Sequence, residues 1–381
     1  MKHGKSMKII YSICGLYNSG GMERIITQKA NYLADVFGYD VTIVTTDQNE
    51  RPIFFPLSTK VKHVDLGINY GDGEHYNMNV IKKVLGKKMK TRMHFRRLND
   101  FLCEENADIV VTTMNNDLNL LPKIHDGSKK ICEFHFSRQT KILEAPNILL
   151  RYIQIIRMAL WKRSFAKYEK FIVLTEEDKA AWGNLDNMKV IPNFVEEIPP
   201  YVPANREKRV ICVGRAVYQK GFDLMLDIWK YVASYDAEWQ LYIFGNGDKT
   251  SLEKKKERLG LDDSVHLMPA TKNIAREYDK SSVYALSSRY EGLPMVLLEA
   301  MSHGLPIVSF ACPCGPKDVI KDTFGSIIEN GDVISFAKSL LEWMHSPDKL
   351  EKGSKNAYSE IQKYNKITIM NKWKLLFENL N

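Results

Sequence analysis

Residues 287–306, SSRYEGLPMVLLEAMSHGLP, decide the fold. An apolar, β-prone run (283–286) leads into a short polar loop, and an apolar helix follows it. Pro in a first helical turn forfeits no hydrogen bond and Gly is a common stop, so the spacing predicts a helix from Pro294 to about Gly304. Two carboxylates bracket it: Glu291 in the loop ahead of the helix, and Glu299 eight positions later on it. A carboxylate on the face shared with Leu293, Val296 and Ala300 is costly to bury unless something hydrogen-bonds to it. Hydroxyls of a polyol lying across the helix N-terminus would do so, and the positive end of the helix dipole suits a diphosphate.

Strand, loop and helix alternate on both sides of this stretch. Strands are predicted over 209–213, 240–244, 265–268 and 307–310, and helices over 332–344 and 365–380. The first strand is followed by a polar loop that opens on Gly214-Arg215 and closes on Lys220-Gly221. The second is followed by Gly245-Asn246-Gly247, and the third by a loop holding Asn273 and Ile274. Arg215 can hold two phosphate oxygens in its planar fork, and Lys220 adds a mobile point charge. The first half runs the same way, with strands over 8–13, 41–45, 108–113, 129–135, 170–174 and 189–191, a Gly20-Gly21 turn and a helix over 22–37. Such alternation implies parallel, doubly wound sheets with ligands at the carboxyl ends of their strands. A length of 381 residues suits two such α/β domains rather than one core. The Pro-rich, charged stretch after residue 195 reads as a linker. The organisation expected is a first domain over 1–195, a linker over 196–207, a second domain over 208–360 and a terminal helix over 361–381.

These features resemble the retaining GT-B glycosyltransferases, above all family four, which builds bacterial polysaccharides. The resemblance rests on Glu291-x7-Glu299 with Gly292, Leu293, Pro294, Ala300, Gly304 and Pro306 around it, and on the Gly-Arg-x4-Lys-Gly pattern of residues 214–221. It implies two Rossmann-like domains facing across a cleft, with the terminal helix crossing back onto the first. By the same resemblance Glu299 holds the nucleotide ribose, Glu291 holds the donor sugar, and His135 contacts that sugar at the end of its strand. Gly20 and Gly21 would face the phosphates or the acceptor, Gly245 and Gly247 would lie near the phosphates, Asn273 and Ile274 beside the base, and Arg138 on the acceptor side. The family carries Pro-Asn-Gly-Val where this chain has Pro192-Asn193-Phe194-Val195, a departure from the pattern. The implied activity is that of a hexosyltransferase: transfer from a nucleoside-diphosphate sugar, expected to be a UDP-sugar, to a hydroxyl of a glycan or lipid-linked saccharide. Configuration would be retained. No Asp-x-Asp metal motif occurs, so no metal or cofactor is expected, and Arg215 and Lys220 would neutralise the leaving group.

Charge and composition narrow the partners. Hydrophobic residues make up 44% and charged residues 26% of the chain, as in ordinary globular proteins. The net charge of +8 lies mainly in residues 1–200, which hold 29 Lys/Arg against 23 Asp/Glu. Residues 81–97 contain eight Lys or Arg and no acid, at amphipathic spacing, and 148–165 form a second basic, apolar helix. No nucleic-acid module accompanies them, so the expected partner is an anionic membrane surface. The basic start passes straight into a strand and does not read as a leader, and no apolar run is long enough to span a bilayer. Six cysteines, several inside apolar strands, read as reduced residues of a cytoplasmic protein on the inner face of the membrane, with Cys312 and Cys314 a packing pair rather than metal ligands. Two alternatives stay open: a nucleotide-sugar epimerase on the same architecture, and a non-catalytic polyanion binder at the membrane. The oligomeric state is left open.

Overall fold

A computed structural model describes residues 6–71, 80–114, 116–201 and 206–380, with only the backbone of 80 and 81. The first five residues, part of the expected linker (202–205) and the apolar side chains at the start of the first basic helix fall outside the described residues.

Two wholly parallel sheets form the frame. The first contains β1 (Lys8–Ile13), β2 (Asp40–Thr45), β3 (Val61–Asp65), β4 (Ile109–Thr112), β5 (Lys129–Glu133), β6 (Lys170–Val173) and β7 (Met188–Val190), in the order β3-β2-β1-β4-β5-β6-β7. The second contains β8 (Arg209–Val213), β9 (Gln240–Phe244), β10 (Val265–Met268), β11 (Val283–Leu286), β12 (Ile307–Phe310) and β13 (Gly325–Ile328), in the order β10-β9-β8-β11-β12-β13. The strand order reverses beside β1 in one sheet and beside β8 in the other, the places where doubly wound sheets open a crevice. The expected α/β fold of two Rossmann-like domains is thus what the chain adopts.

Helices α1 (Gly21–Asp35), α2 (Val80–Glu105), α3 (Arg138–Leu143), α4 (Ile148–Phe165) and α5 (Glu176–Trp182) belong to the first domain. The second has α6 (Phe222–Tyr235), α7 (Thr250–Arg258), α8 (Ile274–Lys280), α9 (Met295–Ser302), α10 (Pro316–Val319), α11 (Val333–Met344) and α12 (Pro347–Glu360). Helix α13 (Lys366–Glu378) then places Ile369, Met370, Trp373, Leu376 and Phe377 in the core of the first domain, beside Tyr11, Ile13, Ile26 and Leu33. Ile367, at the start of the same helix, faces solvent. The second core packs Trp229 of α6 and Phe336 and Trp343 of α11 against β8, β9 and β12. Large aromatic side chains buried this way are the main apolar contribution to such a core, at about 25 cal/mol per Å² removed from water.

Candidate active site

The loops after β8, β9 and β11 meet at the carboxyl edge of the second sheet. Gly245 has a φ of +156°, and a Cβ there would lie 1.7 Å from the Gly214 carbonyl oxygen. Only glycine permits that approach, which seats the 245–247 loop against the Gly214–Arg215 backbone. Gly247 packs on Ala216, whose N–H donates to the Asn246 carbonyl at 2.7 Å. The β8 and β11 loops are tied in turn: the Ser287 hydroxyl donates to the Lys220 carbonyl (3.0 Å) and the Arg289 N–H to Gln219 (2.7 Å).

Glu291 is held at this junction. Its N–H donates to Pro313, its carbonyl accepts from Cys314, and its buried carboxylate receives the Lys220 ammonium at 2.6 Å and the Gln219 amide at 3.4 Å. The expected sugar-binding glutamate and the expected phosphate-binding lysine are therefore direct partners. Arg215 points outward, and no partner for its guanidinium is seen among the described residues. A cation and a carboxylate thus meet at one loop junction, a combination suited to a diphosphate joined to a polyol.

Glu299 answers differently. Helix α9 begins at Met295, one residue later than expected, with Pro294 outside it in an extended conformation. The Glu299 carboxylate is partly exposed, not buried, and turns towards the first domain, where Arg24 of α1 donates to it at 2.9 Å. The Tyr278 hydroxyl reaches its other oxygen at 3.4 Å. These residues, with Ile274, Met295 and Gln28, line a cavity of about 160 Å³ between the domains. Asn273 precedes α8 beside it, makes no side-chain capping bond and is exposed.

The first domain closes the other wall. Gly20 and Gly21 start α1, one turn before Arg24. His135 lies two residues past β5 with its ring nearly buried, and a Cβ on Gly292 would stand 3.1 Å from the His135 carbonyl oxygen. Absence of a side chain at Gly292 is what lets the two domains touch here. The Thr140 hydroxyl donates to the Glu291 carbonyl (3.2 Å), and Glu177 bridges to Gly315 and Asp318. Arg138, expected to face an acceptor, instead donates to the Ala181 carbonyl at 2.6 Å and lies over Trp182, while its N–H binds Asp178. Burial pushes the Asp178 carboxyl up to about 7 against those hydrogen bonds. Among the described residues no three His, Cys, Asp or Glu side chains gather as a metal ion would require.

Sequence reasoning missed Arg24, Tyr278, Gln219, Lys29 and Glu133. Lys29 alone left a signal, a cation inside the apolar stripe of Ile25, Ile26, Ala30 and Leu33. Arg24 and Glu299 are 275 positions apart, and nothing local couples them.

Residues 194–360 match the family Glycosyl transferases group 1, and this segment holds the β8 loop, Glu291 and Glu299. The chain is a glycosyltransferase. It is 28% identical to the Amylovoran biosynthesis glycosyltransferase AmsD of Erwinia amylovora, over 96% of this chain and 98% of that one. It is 27% identical, over 88% of each chain, to the Campylobacter jejuni GalNAc-alpha-(1->4)-GalNAc-alpha-(1->3)-diNAcBac-PP-undecaprenol alpha-1,4-N-acetyl-D-galactosaminyltransferase. Among solved structures, S. aureus TarM, in complex with Fondaparinux, alpha-GlcNAc-glycerol and UDP, superposes with a TM-score of 0.77 over 97% of this glycosyltransferase and 99% of TarM. At 17% identity that likeness speaks to the GT-B fold. With the enzyme class established, the epimerase and polyanion-binder alternatives fall away.

Proposed function

We propose that this glycosyltransferase moves a sugar from a UDP-sugar to a hydroxyl of a saccharide acceptor in polysaccharide biosynthesis, as a member of family four, with retained configuration and without a metal ion. The observation that carries the reading is the loop cluster in which Lys220 lies 2.6 Å from Glu291, with the exposed Arg215 on the same loop as Lys220. Arg215 and Lys220 would meet the charge growing on the diphosphate as the glycosidic bond breaks, preorganised as such groups must be to lower a barrier. Glu291 would bind the donor sugar and His135 approach it from the other domain. Glu299 would bind the ribose hydroxyls, with Asn273 and Ile274 beside the base. The UDP in TarM and the saccharide biosynthesis named for AmsD support the donor and the pathway class.

In this reading residues 208–360 bind the donor, residues 1–195 bind the acceptor, and α13 joins the two. An acceptor would enter the cavity of about 260 Å³ at the carboxyl ends of β1, β2 and β4, lined by Tyr17, Asp47, Arg51, Asn69, Tyr70 and Asn116. Arg51 stacks on Tyr17 there, and ring faces flanked by carboxylate and amide groups are sugar-binding chemistry. The enzyme would work on the cytoplasmic membrane face. No described helix is long and apolar enough to cross a membrane. Yet α4 leaves Ile148, Leu149, Tyr152, Ile153, Ile156 and Leu160 exposed on the side away from buried Met158 and Phe165, flanked by Arg151, Arg157 and Arg163. A helix lying in the membrane interface has that pattern. The test is a thermal-shift and titration screen of nucleotides and nucleotide sugars in EDTA. UDP and one UDP-sugar should raise the melting temperature; no response to any nucleotide sugar would overturn the reading.

A further inference from the structure

Helix α1 carries a lysine in the middle of its buried face. Lys29 has no exposed side-chain surface, and its ammonium meets the equally buried carboxylate of Glu133, the last residue of β5. Trp373 of α13 roofs the pair, its ring centre 4.2 Å from the Lys29 nitrogen. Across Glu133 stands His135, with Nε2 3.2 Å from the same Oε1 but out of line for a hydrogen bond. Nothing else among the described residues hydrogen-bonds that nitrogen or Glu133 Oε2. Burial works to raise the Glu133 carboxyl, but Lys29 and His135 beside it hold it well below the usual carboxylate range. Burial lowers the Lys29 ammonium, with Glu133 opposing. Burial and the same carboxylate push the neighbouring Tyr11 phenol up.

An ion pair removed from water contributes little to stability compared with apolar residues of similar volume, so packing alone does not account for one here. Its position does: it ends at a strand terminus that carries a histidine towards the opposing domain. A carboxylate next to one imidazole nitrogen fixes which nitrogen bears the proton and how the ring is turned. We infer that Glu133, itself fixed by Lys29, is a positioning residue for His135: its negative charge, 3.2 Å from Nε2, keeps the ring's proton on that nitrogen and leaves Nδ1 for the transferred sugar. This rests on His135 contacting the donor sugar.

The first measurement uses the unaltered enzyme. In the ¹⁵N-labelled enzyme the uncharged form of the His135 ring should carry its proton on Nε2; an uncharged ring protonated on Nδ1 overturns the inference whatever the variants do. The second compares His135→Ala with the double variant Lys29→Met/Glu133→Leu, which replaces both charges together and strands neither. The double variant should keep its affinity for UDP and lose roughly ten- to hundredfold in kcat, the loss seen when the partner that orients a metal-bound histidine is removed. A wild-type kcat in the double variant, beside a large loss in His135→Ala, would overturn the positioning role alone. A wild-type kcat in His135→Ala would remove the sugar contact and the positioning role together.

Discussion

Glu291 and Glu299 look alike in the sequence and differ in every contact. Glu291 is buried against Lys220 and Gln219 within one domain, while Glu299 reaches Arg24 across the cleft. Glu299→Gln should weaken UDP and intact donor alike, through loss of a charge-assisted hydrogen bond worth about 1.5–3 kcal/mol. Glu291→Gln should leave UDP affinity within a few-fold of wild type and depress kcat, since its contact strengthens as positive charge develops on the sugar. Isothermal titration with UDP beside steady-state kinetics separates the two; a Glu291→Gln enzyme that loses UDP but keeps kcat would reverse the assignment. Glu291, Lys220 and Arg215 could be singled out as candidates because residue type and spacing suggest their chemistry. The partnership of Lys220 with Glu291 and of Arg24 with Glu299 was not legible, because only the folded chain brings side chains 71 and 275 positions apart together. The bond from Arg138 to a carbonyl of α5 was hidden for the same reason.

The central strands of each sheet were legible as elements, since apolar runs flanked by turn residues are what doubly buried parallel strands require. The edge strands β3 and β13 were not. β3 is half exposed and β13 opens on Gly325, so neither shows a continuous apolar run. Helix α12 escaped because its sequence is largely polar, with Gly353 inside it. Two expectations belong to this scale. Gly245→Ala drives a methyl into the Gly214 carbonyl and shifts the Arg215 loop, so the melting temperature should fall and UDP affinity should drop at least tenfold. An unchanged titration would show that this loop does not carry the diphosphate. On α5, the native Asp178 carboxyl titrates near 7, above its unfolded value of 3.8. Its contribution to stability is therefore fully present below about pH 3.8 and is lost as pH rises through 7. Melting curves between pH 5 and 8.5 should show the gap between wild type and Asp178→Asn narrowing as pH rises; a constant gap would contradict the shift.

At the scale of the molecule, the two-domain architecture followed from the repeated strand and helix alternation, whereas the closeness of the domains did not. Contacts from His135 to Gly292, Thr140 to Glu291, Glu177 to Gly315 and Arg24 to Glu299 join four separate loop or helix ends. The exposed apolar face of α4 and the basic turns of α2 lie outside this closure. Co-sedimentation with anionic liposomes should rise with lipid charge and fall with salt, as the Debye length shrinks from about 10 Å at 0.1 M to about 3 Å at 1 M. Replacing Leu149, Ile153 and Ile156 by Ser should abolish sedimentation without lowering the melting temperature, and full binding by that variant would exclude α4. The central claim is that protein cations, not a metal, take the charge of the departing diphosphate. Its most direct test is UDP release from the matched UDP-sugar and acceptor in excess EDTA, by wild type and by Lys220→Ala. The expected result is undiminished wild-type turnover and a loss of about 10²–10³-fold in Lys220→Ala. Turnover that stops in EDTA and returns with Mg²⁺, or a Lys220→Ala enzyme at the wild-type rate, would contradict it.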